Sequence, residues 1–125
     1  MILNLVYVAL GGAVGACLRY LTGLGALRLF GPGFPLGVIT VNIFGSLVMG
    51  ILAVYLAKRG LMQFSPLLMT GLLGGFTTFS AFSLEAVTLY ERGQASAAAA
   101  YVLISVVGAL MALIVGLWIA RGIWA

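Results

Sequence analysis

Four apolar runs, each long enough to cross a membrane as a helix, fill this chain almost from end to end. A hydrocarbon core of roughly 30 Å needs about 20 helical residues to cross it. The first run extends from about Leu3 to Leu27, and its one charge is Arg19. A punctuated loop follows, Gly31-Pro32-Gly33-Phe34-Pro35. The second run covers about Leu36 to Ala57 and stops at Lys58-Arg59-Gly60. The third covers about Pro66 to Tyr90, with Glu91-Arg92-Gly93 behind it, and the fourth about Ala97 to Ala120, beside Arg121. Each boundary carries Gly, Pro or charge, as helix ends do. The pattern predicts an all-α membrane protein, a single integral-membrane domain over residues 1–125 with no separate soluble domain.

Composition excludes most other classes. Only 6% of the residues are charged and 64% are hydrophobic, far too little polar surface to cover a soluble domain of this size. The first run is too long for the h-region of a cleavable signal peptide, and three more follow it. The formal charge of +4 comes from six scattered basic residues, which form no nucleic-acid patch. Cys17 is the single cysteine, so an intrachain disulfide is impossible and a packing role is the ordinary one. With no histidine and two carboxylates, neither a conventional transition-metal site nor a hydrolytic dyad can be built, and the chain is not expected to be an enzyme.

Orientation is weakly specified. Lys58, Arg59 and Arg121 fall on the side of the N-terminus, and Arg28 and Arg92 on the other. Topology follows the Lys/Arg bias between short loops, and three against two is almost no bias. Two readings stay open: a fixed topology set by Lys58-Arg59, or insertion both ways with antiparallel pairing.

Small and polar residues recur at helical spacing. Gly11, Gly15, Arg19 and Gly23 step by four, and Tyr101, Ser105, Gly108, Ala112 and Gly116 by four or three. Small residues so spaced let helices approach closely where lipid offers no hydrophobic force. Packing within one bundle explains much of this. The polar faces exceed what one small bundle can use, which also points to a homodimer.

The third run is the least like a plain helix. Gly74-Gly75 followed by Thr77-Thr78 has weak helix propensity and side chains that compete for backbone bonds. A break is expected near residues 74–78, close to mid-membrane. Irregular backbone at that depth is tolerated only where it is buried in protein or lines a cavity, and broken helices present carbonyls to cations or amides to anions. A packing kink is the plainer alternative. Beyond it, Phe79 and Phe82 share a face. Their ring edges are weakly positive, although core or lipid-facing roles are commoner for such residues. Asn42 lies deep in the second run, a turn before Ser46. A buried carboxamide must be bonded, either as interhelical glue or as a donor to an anion. Arg19 either snorkels or lends a positive field to a pore mouth. Glu85 is the only carboxylate within a run, nearer its end than its middle.

Three stretches taken together are specific: Gly11-Gly12-Ala13-Val14-Gly15-Ala16-Cys17-Leu18-Arg19-Tyr20, Gly37-Val38-Ile39-Thr40-Val41-Asn42-Ile43-Phe44-Gly45-Ser46, and Gly74-Gly75-Phe76-Thr77-Thr78-Phe79-Ser80-Ala81-Phe82. In order and position they resemble the bacterial Fluc (CrcB) fluoride channels over essentially the whole chain, with Ala81 where many members carry a hydroxyl residue. The resemblance implies a multi-pass protein of the bacterial inner membrane that passively exports fluoride. It implies an antiparallel, dual-topology homodimer with two pathways, one on each side of the two-fold axis. By motif, Asn42 would be a fluoride donor and Phe79 and Phe82 an aromatic box. Thr78 and Ser83 would add hydroxyls, Tyr101 and Ser105 would continue a polar track, and Arg19 would lie at the vestibule. The carbonyls of Gly74 and Thr77 from both chains would hold a central structural sodium ion. The residues alone suggest at most a small anion.

Two rivals remain. A small proton-coupled multidrug exporter also has four helices, but wants a carboxylate in the middle of its first helix, where this chain has only Arg19, so Glu85 would serve from the wrong helix. A non-transporting membrane subunit would explain the small-residue faces but not the three motifs together.

Overall fold

The computed structural model describes residues 1–124. Its elements are α1 (Ile2–Phe30), α2 (Leu36–Arg59), a 3₁₀ turn (Met62–Phe64), a π-helix (Pro66–Leu73), α3 (Gly74–Phe76), α4 (Ser80–Glu91) and α5 (Ala95–Trp124). Four stretches, Ile2–Phe30, Leu36–Arg59, Met62–Glu91 and Ala95–Trp124, are long and apolar enough to cross a membrane. Even the shortest, at 24 residues, reaches about 36 Å at a rise of about 1.5 Å per residue. The chain turns where its sequence stops favouring helix. Gly60 closes α2 in the left-handed conformation, φ 67°, with Leu61 N–H donating to the Leu56 carbonyl at 2.8 Å. This is the ordinary glycine solution for orphaned terminal carbonyls.

The helices associate as two pairs, α2 along α5 and α1 along the π-helix and α3. Glycines form both seams. A Cβ at Gly11 would strike the Leu67 carbonyl, one at Gly15 the Leu72 carbonyl, and one at Gly75 the Gly12 carbonyl at 2.7 Å. In the other pair, Gly50 lies against the Leu113 carbonyl and Gly116 against the Leu47 carbonyl, a reciprocal contact. Backbone laid on backbone gives van der Waals contact that larger side chains would prevent. The four-residue ladder of the first helix therefore works within the chain at Gly11 and Gly15.

Gly23, on the same ladder, has open space where a side chain would go: a Cβ there has no heavy atom within 4 Å, although the Gly23 backbone faces Gly37 of α2. We expect Gly23→Ala to leave thermal stability in detergent unchanged or to raise it, by up to about 1 kcal/mol, because a helical glycine is the costlier residue. A clear loss of melting temperature would contradict this packing.

The core is thin. Tyr101, Leu56 and Val41 are the largest fully buried side chains, while Leu103, Leu110 and Trp118 on α5 are exposed. Such an outward apolar surface suits lipid, not water.

Candidate functional site

The segment between α3 and α4 is built by competition for backbone hydrogen bonds. Thr77 Oγ1 and Thr77 N both donate to the Leu73 carbonyl, each at 2.9 Å, which completes the preceding helix. Thr77 then turns extended, at φ −88° and ψ 159°. One residue later Thr78 Oγ1 accepts from Ala81 N–H at 3.2 Å, satisfying a first-turn donor that α4 itself leaves unpaired.

Asn42 of α2 clamps this step from the side. Its Nδ2 donates to the Thr78 carbonyl and its Oδ1 accepts from the Thr78 N–H, both at 2.8 Å. The paired bonds give Thr78 what the helix ladder no longer supplies. They also leave one of the two amide protons of Asn42 uncommitted.

The diverted donors leave two carbonyls without their helical partners. In a regular helix Gly74 would receive the Thr78 N–H and Thr77 would receive the Ala81 N–H. Here those donors go to Asn42 and to Thr78 Oγ1. The Gly75 carbonyl is supplied by Arg19 Nε at 3.1 Å, across the α1 seam. Gly74 and Thr77 are thus left with carbonyls free of their helical donors, and both residues line the same groove.

That groove, of about 600 Å³, brings together Asn42, Ser46, Gly74, Thr77, Thr78, Phe79, Phe82 and Ser105. None of its lining residues is charged. Phe79 is 76% exposed and Phe82 is buried, with ring centroids 5.4 Å apart. Phe82 in turn stacks on Tyr101 at 5.4 Å, and Phe34 meets the Tyr101 ring edge-on at 5.7 Å. Ser105 Oγ is buried and has no hydrogen-bond partner among the described residues.

A second groove, of about 570 Å³, is lined by Arg19, Tyr20, Ala81 and Glu85 among others, and Thr78 borders both. The remaining residues singled out from the sequence fall nearby. Tyr101 is fully buried and its hydroxyl donates to Glu85 Oε2 at 2.8 Å. Ser83 Oγ donates to the Phe79 carbonyl at 3.0 Å, and Ser83 lines neither groove. The Glu85–Tyr101 pair joins two helices and has no local signal in the sequence beyond Glu85 being a carboxylate within a span. Gly45 and Met49 also line the first groove from α2, and their spacing from Asn42, three and seven residues, is the sequence signal for them.

What this arrangement can do is limited and definite. An uncharged groove with a free amide proton, a free hydroxyl and two aromatic rings can solvate a small anion weakly. Two unsupplied carbonyls can coordinate a small cation. Among the described residues, no cluster of three or more metal-ligating side chains occurs.

Residues 6–117 match the model of a protein family described as CrcB-like protein, Camphor Resistance (CrcB). Among curated proteins the chain is 61% identical over 122 residues, 98% of each chain, to the "Fluoride-specific ion channel FluC" of Cereibacter sphaeroides. It is 54% identical over 123 residues, 97% of this chain and 98% of the relative, to the protein of the same name from Roseobacter denitrificans. With that of a Ruegeria species it shares 56% identity over 124 residues, 98% of each.

Proposed function

Because this chain belongs to the CrcB-like family and is a multi-pass membrane protein of bacterial type, we propose that it is a passive, fluoride-selective ion channel that lets fluoride leave the cytoplasm across the bacterial inner membrane. The observation that carries the reading is the uncharged groove at the Thr77–Phe79 step, where Asn42, Thr78, Ser105 and the Phe79–Phe82 pair converge. Fluoride is small and strongly hydrated, so its water must be replaced by several donors along a narrow path. Asn42 offers its free amide proton, Ser105 its unpartnered hydroxyl, and the two rings their positive edges. A fixed cation in the groove would hold the anion too long, whereas conduction needs weak, repeated sites. Arg19 stands in the neighbouring groove, where its field draws anions toward the mouth without occupying the path.

The working unit in this proposal is an antiparallel, dual-topology homodimer with two pathways. A mid-span groove lined by polar groups and open on one side is costly against lipid, and a second copy would close it. The near-even Lys/Arg count between the two ends supports insertion in both orientations.

The residues also fit a structural sodium ion. The Gly74 and Thr77 carbonyls have lost their helical donors and share the groove, and hard cations are held by such oxygens. A bound sodium ion would supply a fixed positive charge that offsets repulsion between anions in the two pathways. Asn42 and Arg19 meanwhile hold the flanking peptides, Thr78 and Gly75, in place.

Liposomes loaded with fluoride and chloride test the reading, with a potassium gradient and valinomycin to collapse the voltage. The protein should release fluoride rapidly and retain chloride. Phe79→Ile with Phe82→Ile removes two ring contacts of about 0.5–1.5 kcal/mol each, so fluoride release should fall about 5- to 150-fold. Folded protein that passes no fluoride would overturn the proposal.

A further inference from the structure

Two residues beyond the Asn42 bond partners meet just as closely. Gly45 lies one turn along α2 from Asn42, and a Cβ there would run into Thr77 Cγ2 and come within 3.4 Å of Phe76 Cδ2. The Thr77 methyl therefore fills the space a side chain at position 45 would occupy. It cannot swing away freely, because Thr77 Oγ1 is tied to the Leu73 carbonyl at 2.9 Å and a β-branched side chain has few rotamers to choose from. Turning the methyl aside would break that bond at the point where the chain becomes extended.

We propose that Gly45 is a positioning residue: the missing side chain receives the Thr77 methyl, and this fit sets the attitude of the Thr77 peptide and of its free carbonyl. Asn42 and Gly45 then act on neighbouring residues from one face of α2, the first holding Thr78 by hydrogen bonds and the second seating Thr77 by shape. The inference deepens the proposed sodium site, on which its functional consequence rests. The shape fit itself stands on the packing alone.

The experiment is a double-mutant cycle on the full chain, with Gly45→Ala, Thr77→Ser, the two combined, and Gly45→Ala with Thr77→Val. Serine keeps the hydroxyl and lacks the methyl, and valine does the reverse. Three quantities are read: melting temperature, the sodium concentration giving half of the maximal thermal stabilisation, and fluoride efflux. Gly45→Ala should raise the sodium requirement and slow efflux by roughly tenfold, the size of a modest overpacking penalty. Adding Thr77→Ser should recover most of each loss, and adding Thr77→Val should recover none. If Gly45→Ala yields too little folded protein to assay, the same pattern is read in folded yield, where rescue by serine alone supports the proposal. Additive effects, or equal rescue by serine and valine, overturn it. A wild-type protein that neither conducts fluoride nor responds to sodium overturns the channel reading instead, and leaves the melting-temperature cycle to decide the fit.

Discussion

Asn42→Asp should leave no measurable fluoride efflux, although it changes a single atom of the side chain. The carboxamide now donates to the Thr78 carbonyl and accepts from the Thr78 N–H, each at 2.8 Å. A carboxylate can still accept, but it faces the Thr78 carbonyl with an oxygen in place of a donor. The uncommitted amide proton is also lost, and a negative charge is set in a groove proposed to pass anions. Each unsatisfied buried polar group costs about 1–3 kcal/mol, and a like charge on an anion path adds to the barrier. Together these predict a fall in efflux of more than about 100-fold.

Asn42→Ala separates the two roles of the side chain. It removes both hydrogen bonds to half-buried Thr78 without adding charge, so the folded state should lose about 1–3 kcal/mol. Efflux per folded molecule, with folded fraction measured by size-exclusion chromatography and thermal melting, distinguishes the variants. Undiminished flux in Asn42→Asp would remove Asn42 from the pathway.

Gly15→Val should abolish folding. A Cβ at position 15 meets the Leu72 carbonyl and lies 2.9 Å from the Phe76 nitrogen. Both obstacles are backbone, so no rotamer change relieves them, and α1 would have to retreat along its whole seam with the π-helix. Gly11, one turn earlier, meets the Leu67 carbonyl and the Leu72 nitrogen, so the same displacement opens that contact too. Overpacking of yielding cores costs about 1–3 kcal/mol; a backbone obstacle at a seam that carries the fold should exceed this. The expected result is no monodisperse protein on extraction, beside a normal yield for Gly23→Ala. Ordinary recovery of Gly15→Val would mean that α1 does not lie on the third span as described.

The contrast between Gly15 and Gly23 shows how far a sequence of this kind can be read. Both belong to one ladder at four-residue spacing, and nothing local distinguishes them. One has backbone where a side chain would go and the other has open space there, because α1 runs past the point where the π-helix and α3 lie against it. Asn42 is similar. Its cost of burial was legible and demanded a partner, but the partner is a backbone peptide 36 residues away. Tyr101 and Glu85 could each be singled out, yet their bond joins different helices.

The number of spans follows from the sequence alone, because apolar length can be read run by run without knowing what packs against it. Which face of each helix turns inward was left to the tertiary structure. In a soluble helix a polar stripe marks the outer face, but here the outer face of each span is apolar too, and lipid accepts it. The choice was made by close packing of glycines against carbonyls and by the few polar groups that had to find partners at mid-span, of which Asn42 and Thr78 are the clearest pair.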